Sequence, residues 1–260
     1  GRNSMMPSLF IAHGAPTLVL EDNGYTKMLQ ELRTKLPRPR AIVLFSAHWE
    51  APVQTVSAVE KYDMIYDFYG FPEEMYKIVY PAKGEKALAE KVRTLLDTQE
   101  IASRADTERG MDHGAWVVLR LVYPQADIPV VVLSVNPNLS AAEQYRIGQA
   151  LSPLRKDGVM FIGSGGTVHN LRRINWRSTE AEEWAVKFDD WLGEKIGKWD
   201  TEALFAYETQ APHAKEAVPR NEHFIPLLLA MGAADDGRNG TLLHREYQYG
   251  NLSLICWKFD

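Results

Sequence analysis

Continuous apolar segments along the chain predict the strands of a buried sheet. Four short runs are continuous rather than alternating, and turn residues bound each of them: Ser8–Ala12, Ala41–Phe45, Val130–Val135 and Val159–Ile162. Runs of this kind are typical of strands that are covered on both faces. Three further segments alternate more and are predicted as outer or antiparallel strands: Gln54–Val59, Thr241–Gln248 and Leu252–Trp257.

Helical periodicity fills the stretches between these strands. Leu88, Val92 and Leu96 recur at the spacing of one helix face. Two capping-box signals, each a Ser or Thr followed three residues later by Glu, predict helix starts: Ser140 with Glu143, and Thr179 with Glu182. The longest surface loop is predicted at Pro212–Pro219. Strands that alternate with helices predict an α/β fold with a largely parallel sheet between helix layers.

The length, charge and cysteine content exclude several classes of protein. The chain has 260 residues, 45% hydrophobic and 24% charged, which suffices for one large core. A net charge of −5 without a basic stretch argues against nucleic acid or a membrane surface as partner. The single cysteine, Cys256, excludes an internal disulfide and a thiolate metal cluster. We expect a soluble cytoplasmic protein with a single domain over residues 5–260, after a vector remnant at Gly1–Ser4.

Histidines mark a candidate site. The seven histidines are His13, His48, His113, His169, His213, His223 and His244. His13, His48 and His169 follow the ends of three predicted central strands, where open α/β sheets bind ligands. Neutral imidazole is a ligand for Zn, Fe and Cu. Because no His-Glu-x-x-His pair is present, the ligands of a metal would come from distant segments. The spacing alone leaves a metal site and structural histidines both open.

Other segments suggest chemistry less directly. Gly163–Gly166 could cradle a phosphate, but no lysine follows it, and a tight turn or close backbone approach also explains the glycines. Ser164 lies near His169, yet the chain has no Gly-x-Ser-x-Gly elbow, which disfavours a serine hydrolase. The aromatic residues of the segment 66–76 could line a pocket for a flat ligand or simply dock on the core.

Five histidine-bearing motifs occur in order along the chain: Ala12–Pro16, Ser46–Trp49, Asp112–Trp116, Val168–Leu171 and Glu222–Leu227. As a set they resemble the class III extradiol ring-opening dioxygenases, in the bacterial branch related to plant DOPA 4,5-dioxygenase. Three further segments look like the same branch: Asp67–Pro72, Tyr80–Ala82 and Tyr123–Pro129. The resemblance runs from about Pro7 to the C-terminus.

The resemblance implies a single α/β domain with a central, mostly parallel mixed sheet and one mononuclear metal at one sheet edge. His13, His48 and His223 match the metal-ligand positions of this branch. The protocatechuate branch instead uses two histidines and a glutamate, so Glu222 is the alternative to His223. Fe(II) is expected for activity, and Zn²⁺ is expected in the protein as isolated.

The resemblance also implies roles around the metal. His169 matches the catalytic acid/base and is close enough to be a possible fourth ligand, while His113 matches a histidine of the substrate pocket. We expect Asp112 to fix the tautomer of His113, and Tyr69 and Phe71 to bind the substrate. Two histidines match no motif and are predicted to be structural: His213 and His244.

The implied function is extradiol opening of a single-ring, DOPA-like catechol with O2. One alternative is a zinc-binding hydrolase or non-catalytic scaffold on the same fold. A second alternative is a metal-free binding protein with structural histidines. The sequence leaves the oligomeric state open.

Overall fold

Eight strands form one mixed sheet whose centre is parallel. The computed structural model describes residues 5–260, so the predicted remnant at Gly1–Ser4 lies outside the described residues. The strands are β1 (Ser8–Ala12), β2 (Ala41–Glu50), β3 (Gln54–Ser57), β4 (Ser103–Asp106), β5 (Val130–Val135), β6 (Val159–Gly165), β7 (Gly240–Gln248) and β8 (Leu252–Phe259). Their order in the sheet is β4-β3-β5-β2-β6-β1-β8-β7. Neighbours from β5 to β1 pair in parallel, and β8 and β3 join this centre antiparallel on either side.

Helices cover both faces of the sheet. They are α1 (Gly24–Lys35), α2 (Lys86–Thr98), α3 (His113–Val122), α4 (Ala141–Leu151), α5 (Glu183–Gly197), α6 (Thr201–Phe205), α7 (Tyr207–Gln210), α8 (Ala214–Ala217) and α9 (Ile225–Gly232). Along β2, Ile42 and Leu44 enter one apolar cluster while Val43 and Phe45 enter the other. This burial on both faces explains the continuous apolar runs and confirms the predicted α/β sandwich. Within residues 5–260, no helix is both long and apolar enough to cross a bilayer.

One predicted helix start is confirmed and the other is wrong. Ser140 Oγ accepts a hydrogen bond from the Glu143 amide, and the Glu143 carboxylate accepts one from the Ser140 amide, which forms the capping box of α4. Glu182 is instead the residue before α5, and its carboxylate accepts from Asn251 Nδ2 at 2.6 Å. The local pattern predicted that the Glu182 side chain would form a capping box with Thr179, but it is bonded to the distant Asn251 instead. The predicted loop at Pro212–Pro219 contains the short helix α8.

Strand ends bring distant segments to one edge of the sheet. β2 continues to Glu50, past the predicted end at Phe45, because it pairs again with Val135 after an irregularity. His48 therefore lies inside β2 rather than in a loop after it. Since the central strands are parallel, this part of β2 lies at the same edge as the ends of β1 and β6.

Glycines of β6 let the segment before α9 pack directly against the sheet. A Cβ on Gly165 would lie 2.1 Å from the His223 carbonyl oxygen, and one on Gly163 would lie 2.3 Å from the Pro226 carbonyl oxygen. Neither glycine has a positive φ, so close backbone approach is what these positions require. The Gly166 amide completes the contact by donating to the His223 carbonyl at 2.8 Å.

Candidate metal centre

Five histidines from five segments meet at the carboxyl edge of the parallel strands. His13 directly follows β1, His48 lies near the end of β2, and His169 lies four residues beyond β6. His113 is the first residue of α3, and His223 precedes α9 by two residues. The ring of His13 lies 4.8 to 5.7 Å from those of His48, His113 and His223. The structure thus brings together every histidine that the motifs singled out.

The Nε2 atom of His13 lies close to the Nε2 atoms of two other rings, those of His48 and His223. His13 Nε2 lies 3.0 Å from His48 Nε2 and 3.1 Å from His223 Nε2. Two nitrogens that each lie about 2.1 Å from one tetrahedral metal ion are about 3.4 Å apart, so this spacing is close to that of a metal site. Possible ligand atoms of His13, His48 and His113 lie within 4.8 Å of one another, as do those of His169, Glu222 and His223.

Hydrogen bonds on the far side of two rings fix their tautomers. Ser164 Oγ donates its single proton to the Gly114 carbonyl at 2.5 Å, so its contact of 3.0 Å with His13 Nδ1 requires His13 to be the donor. His223 Nδ1 donates to the Glu222 carboxylate at 3.2 Å. In the neutral rings, both facing Nε2 atoms then carry lone pairs. Two acceptors 3.1 Å apart cannot hydrogen-bond, whereas one cation would satisfy both.

Burial keeps His13, His48 and His223 neutral. It holds the pKa of His13 and His223 well below the ordinary histidine value, with additional lowering from the neighbouring histidines. Burial is also the largest cause that lowers the pKa of His48 to about 3. Neutral imidazole is the form of histidine that binds metals. These three rings are therefore in the neutral form that can bind a metal ion.

His169 lies beside His223 rather than opposite it. The two rings stack with centroids 3.6 Å apart and planes inclined by 7°. The His169 amide donates to the Ala217 carbonyl at 2.9 Å, which fixes the backbone of this residue. Burial lowers the pKa of His169 to about 4, so the ring is neutral at pH 7 and able to accept a proton.

Asp67, not Asp112, holds His113. His113 Nδ1 lies 2.8 Å from Asp67 Oδ1, and the His113 amide donates to the same oxygen at 2.9 Å. Burial acts against ionisation of Asp67, but the contacts with His113 outweigh it and lower the pKa of the carboxyl. Asp112 instead accepts from Ser46 at 2.7 Å and pairs with Arg109 at 2.9 Å. The prediction for Asp112 is therefore wrong, because both of its oxygens have other partners.

Glu222 lies behind His223 as seen from the cluster. One carboxylate oxygen accepts from His223 Nδ1, and the other lies 3.3 Å from Arg220 Nη1. Arg220 also forms a two-pronged contact with Glu50, at 2.8 and 3.1 Å. Burial raises the pKa of Glu222. The carboxylate thus orients His223 from the side opposite to the facing nitrogens.

A cavity of about 470 Å³ opens over the cluster. Its apolar wall consists of Phe71, Leu171, Ile174, Trp176 and Leu252. A flat apolar wall above a few polar atoms is typical of sites for small aromatic ligands. Of this wall, the sequence singled out only Phe71.

Tyr69 does not line this cavity and is 91% exposed. The adjacent Phe68 packs edge-on against His113, with ring centroids 5.5 Å apart, and occupies the inner face of the segment. The expectation that Tyr69 binds substrate is therefore wrong. Two remaining histidines lie outside the cluster, as predicted: His213 at the start of α8, and His244 in β7, 2.7 Å from Glu246.

Comparisons with known proteins agree with this geometry. The family described as the catalytic LigB subunit of aromatic ring-opening dioxygenase matches residues 7–256. The chain is 40% identical to the 4,5-DOPA dioxygenase extradiol of Beta vulgaris, over 99% of this chain and 97% of that protein. It is 39% identical to the protein of the same name from Escherichia coli (strain K12), over 97% and 94%.

The fold is also found in a solved structure. The crystal structure of the uncharacterized protein JW3007 from Escherichia coli K12 matches with a TM-score of 0.84 and 36% identity, over 98% of this chain and all of that one. The family implies one mononuclear metal, an aromatic substrate and O2. The chain therefore belongs to the LigB family and is an extradiol aromatic ring-opening dioxygenase.

Proposed function

We propose that this enzyme opens the ring of a single-ring, DOPA-like catechol with O2 at one divalent metal ion held by His13, His48 and His223. The observation that carries the proposal is the approach of His13 Nε2 to His223 Nε2 at 3.1 Å and to His48 Nε2 at 3.0 Å, while the other nitrogens of His13 and His223 are bonded to Ser164 and Glu222. The printed names of the relatives, 4,5-DOPA dioxygenase extradiol, support the choice of a DOPA-like catechol.

His223 rather than Glu222 is the proposed third ligand. The Glu222 carboxylate is already engaged by His223 Nδ1 and Arg220, on the side away from the facing nitrogens. Three neutral imidazoles suit both Fe(II) and Zn²⁺. Fe(II) is the ion proposed for activity, and Zn²⁺ is expected on isolation because the Irving–Williams order favours it.

Held by His13, His48 and His223, Fe(II) would supply a common binding site for catechol and O2 and a path for electrons from the ring to O2. The protein supplies the proton chemistry. His169, kept neutral by burial, accepts a proton from a catechol hydroxyl at a ring nitrogen and returns it as the ring opens. Its stacking on His223 places it beside the proposed ligand set without directing its nitrogens at the His223 nitrogens.

His113 and Phe71 are the proposed substrate-binding residues. Because Asp67 engages Nδ1 of His113, Nε2 of that ring is left to bind an oxygen of the substrate. Phe71 lines the same cavity and provides a flat apolar surface for the catechol ring.

Reconstitution with Fe(II) under exclusion of air tests the proposal. Admission of O2 and catechol is expected to give stoichiometric O2 uptake and a yellow ring-opened product, while the zinc-loaded protein stays inactive. A panel of DOPA, caffeate, protocatechuate and simple catechols covers the substrate class. No uptake on any of them, with iron loading verified, would overturn the proposal in favour of a zinc hydrolase or scaffold.

A further inference from the structure

A second cavity adjoins the histidine cavity beyond His169. Its volume is about 540 Å³, and it shares His169, Leu171 and Glu222 with the first cavity. Its remaining wall is Asn170, Pro219 and three arginines, Arg172, Arg173 and Arg220. A substrate ring at the histidines would therefore have a basic compartment next to it.

The guanidinium groups of the three arginines differ in the partners that they already contact. Arg220 is paired with both Glu50 and Glu222. The guanidinium of Arg173 lies over the ring of Trp184, 4.9 Å from its centroid. Within residues 5–260, no carboxylate oxygen lies within 4 Å of the Arg172 guanidinium. Neither Arg172 nor Arg173 has a carboxylate partner among the described residues, but the Arg173 guanidinium is held over Trp184, so Arg172 is the wall arginine whose guanidinium has no partner of either kind.

The backbone around Arg172 is fixed relative to the histidines. Asn170 Nδ2 donates to the Glu216 carbonyl at 2.8 Å, and Asn170 Oδ1 accepts from the Arg172 amide at 3.1 Å. Arg172 lies three residues after His169, whose own amide is bonded to Ala217. Such anchoring lowers the entropic cost of binding a ligand at this position.

We propose that Arg172 binds a carboxylate carried by the side chain of the catechol substrate. The proposal rests on the proposed function, because it requires the catechol ring to occupy the histidine cavity. A planar guanidinium pairs with a carboxylate through two parallel hydrogen bonds, which gives orientation as well as affinity. Arg172 is then the residue that selects, among the catechols of the proposed function, those whose ring carries a short chain ending in a carboxylate.

Two substrates that differ only in the carboxylate test this assignment: 3-(3,4-dihydroxyphenyl)propanoate and 4-propylcatechol. In Arg172→Gln, kcat/KM for the acid is expected to fall about threefold to tenfold, the size of a partly exposed ion pair, while kcat/KM for 4-propylcatechol stays unchanged. Arg172→Lys keeps the charge and is expected to retain part of the preference. Higher salt is expected to reduce the preference of the wild type.

Arg177→Gln is the matched control. Arg177 is also exposed, its amide is bonded to Asn175 Oδ1 at the same 3.1 Å, and it lines neither cavity. This variant is expected to treat both substrates as the wild type does. An equal fall for both substrates in Arg172→Gln, or no fall for either, would overturn the proposal.

Calorimetry on the zinc-loaded protein separates this proposal from the ring-opening reaction. The acid is expected to bind the wild type about threefold to tenfold more tightly than it binds Arg172→Gln, without any turnover. If the iron-loaded wild type fails to open 4-propylcatechol and the acid, the proposed function fails, and the binding difference still decides the role of Arg172. Equal binding to both proteins, or no binding to the wild type, would remove that role.

Discussion

The imidazoles of His169 and His223 lie face to face, with centroids 3.6 Å apart and planes inclined by 7°. Stacked rings direct their nitrogens side by side rather than toward each other. His169 is therefore placed next to the facing Nε2 atoms without being one of them. This relationship places His169, the proposed acid/base, beside His223, one of the three proposed metal ligands.

Replacement of His169 is expected to reduce turnover and spare the metal. His169→Ala should lower kcat roughly 10² to 10⁴-fold, the usual contribution of a general acid/base. His169→Phe keeps a flat ring against His223 and should lose as much activity, because the loss comes from the missing nitrogens. Metal content, measured alongside kcat, should stay near that of the wild type in both. Metal loss as complete as in His13→Ala would make His169 an essential ligand.

Removal of the Ser164 hydroxyl is expected to weaken metal binding. Ser164→Ala leaves His13 Nδ1 without its acceptor, and the loss of such a partner typically costs about 10 to 100-fold in metal affinity. Ser8→Ala is the control, because Ser8 also donates to a carbonyl, that of Ala230 at 2.7 Å, but lies at the other end of β1. Competition with a chelator measures both affinities. Equal affinities in the two variants would refute the role of Ser164.

A methyl group at position 165 is expected to displace His223. In Gly165→Ala the new Cβ would lie 2.1 Å from the His223 carbonyl oxygen, so the backbone before α9 must move. Overpacking of this kind costs about 1–3 kcal/mol, and the movement should also lower metal content. Gly197→Ala at the end of α5 places a Cβ that meets nothing beyond its own helix and chain neighbours within 4 Å, and it should not destabilise the protein. Urea unfolding and metal analysis of both variants check this, and an unchanged metal content in Gly165→Ala would contradict it.

Asp189 is expected to make stability depend on pH. Three hydroxyls donate to this buried carboxylate: those of Thr167, Tyr247 and Ser253, at 2.6 to 2.8 Å. Burial raises the pKa of Asp189 despite these bonds. Because its pKa is higher in the folded than in the unfolded protein, protonated Asp189 stabilises the fold. This contribution to stability is complete below the pKa of the unfolded state, about 3.8, and it is lost as the pH rises through the pKa of the folded state.

Asp189→Asn removes this titration and places an NH₂ group against hydroxyl donors. The variant should be less stable by about 1–3 kcal/mol near pH 4, and the difference from the wild type should shrink as the pH rises. Urea unfolding of both proteins across this range measures the difference. Asp190→Asn, an exposed carboxylate on the same helix, is the control. A difference that grows with pH would contradict the expected direction.

Local pattern was sufficient for the buried parts of the fold. The apolar runs of β1, β5 and β6 are readable because strands covered on both faces carry few polar residues. The motif resemblance likewise pointed to His13 and His223, although 210 positions separate them. In both cases the information lies within a few adjacent residues.

Long-range partners explain the features that local pattern missed. Asp67, rather than the expected Asp112, contacts Nδ1 of His113. Which of the two carboxylates reaches this ring depends on the path of the segment before α3. Glu182 bonds to Asn251 instead of closing a capping box. Trp176 lines the cavity although it is 64% exposed, so neither periodicity nor burial marks it. Each of these outcomes depends on tertiary contacts that no window of adjacent residues contains.

The wide sequence separation of the facing nitrogens has a consequence for folding. His13 and His48 are 35 positions apart, and His13 and His223 are 210 apart, so the three rings meet only after β1, β2 and the segment before α9 have docked. We expect contacts between such distant positions to form late in folding, because closing the long intervening segment has a high entropic cost. A metal ion that needs all three rings is expected to bind the native chain more tightly than its precursors and so to stabilise the folded protein by mass action. We therefore expect the proposed metal to raise the equilibrium stability of the folded chain rather than to nucleate its folding.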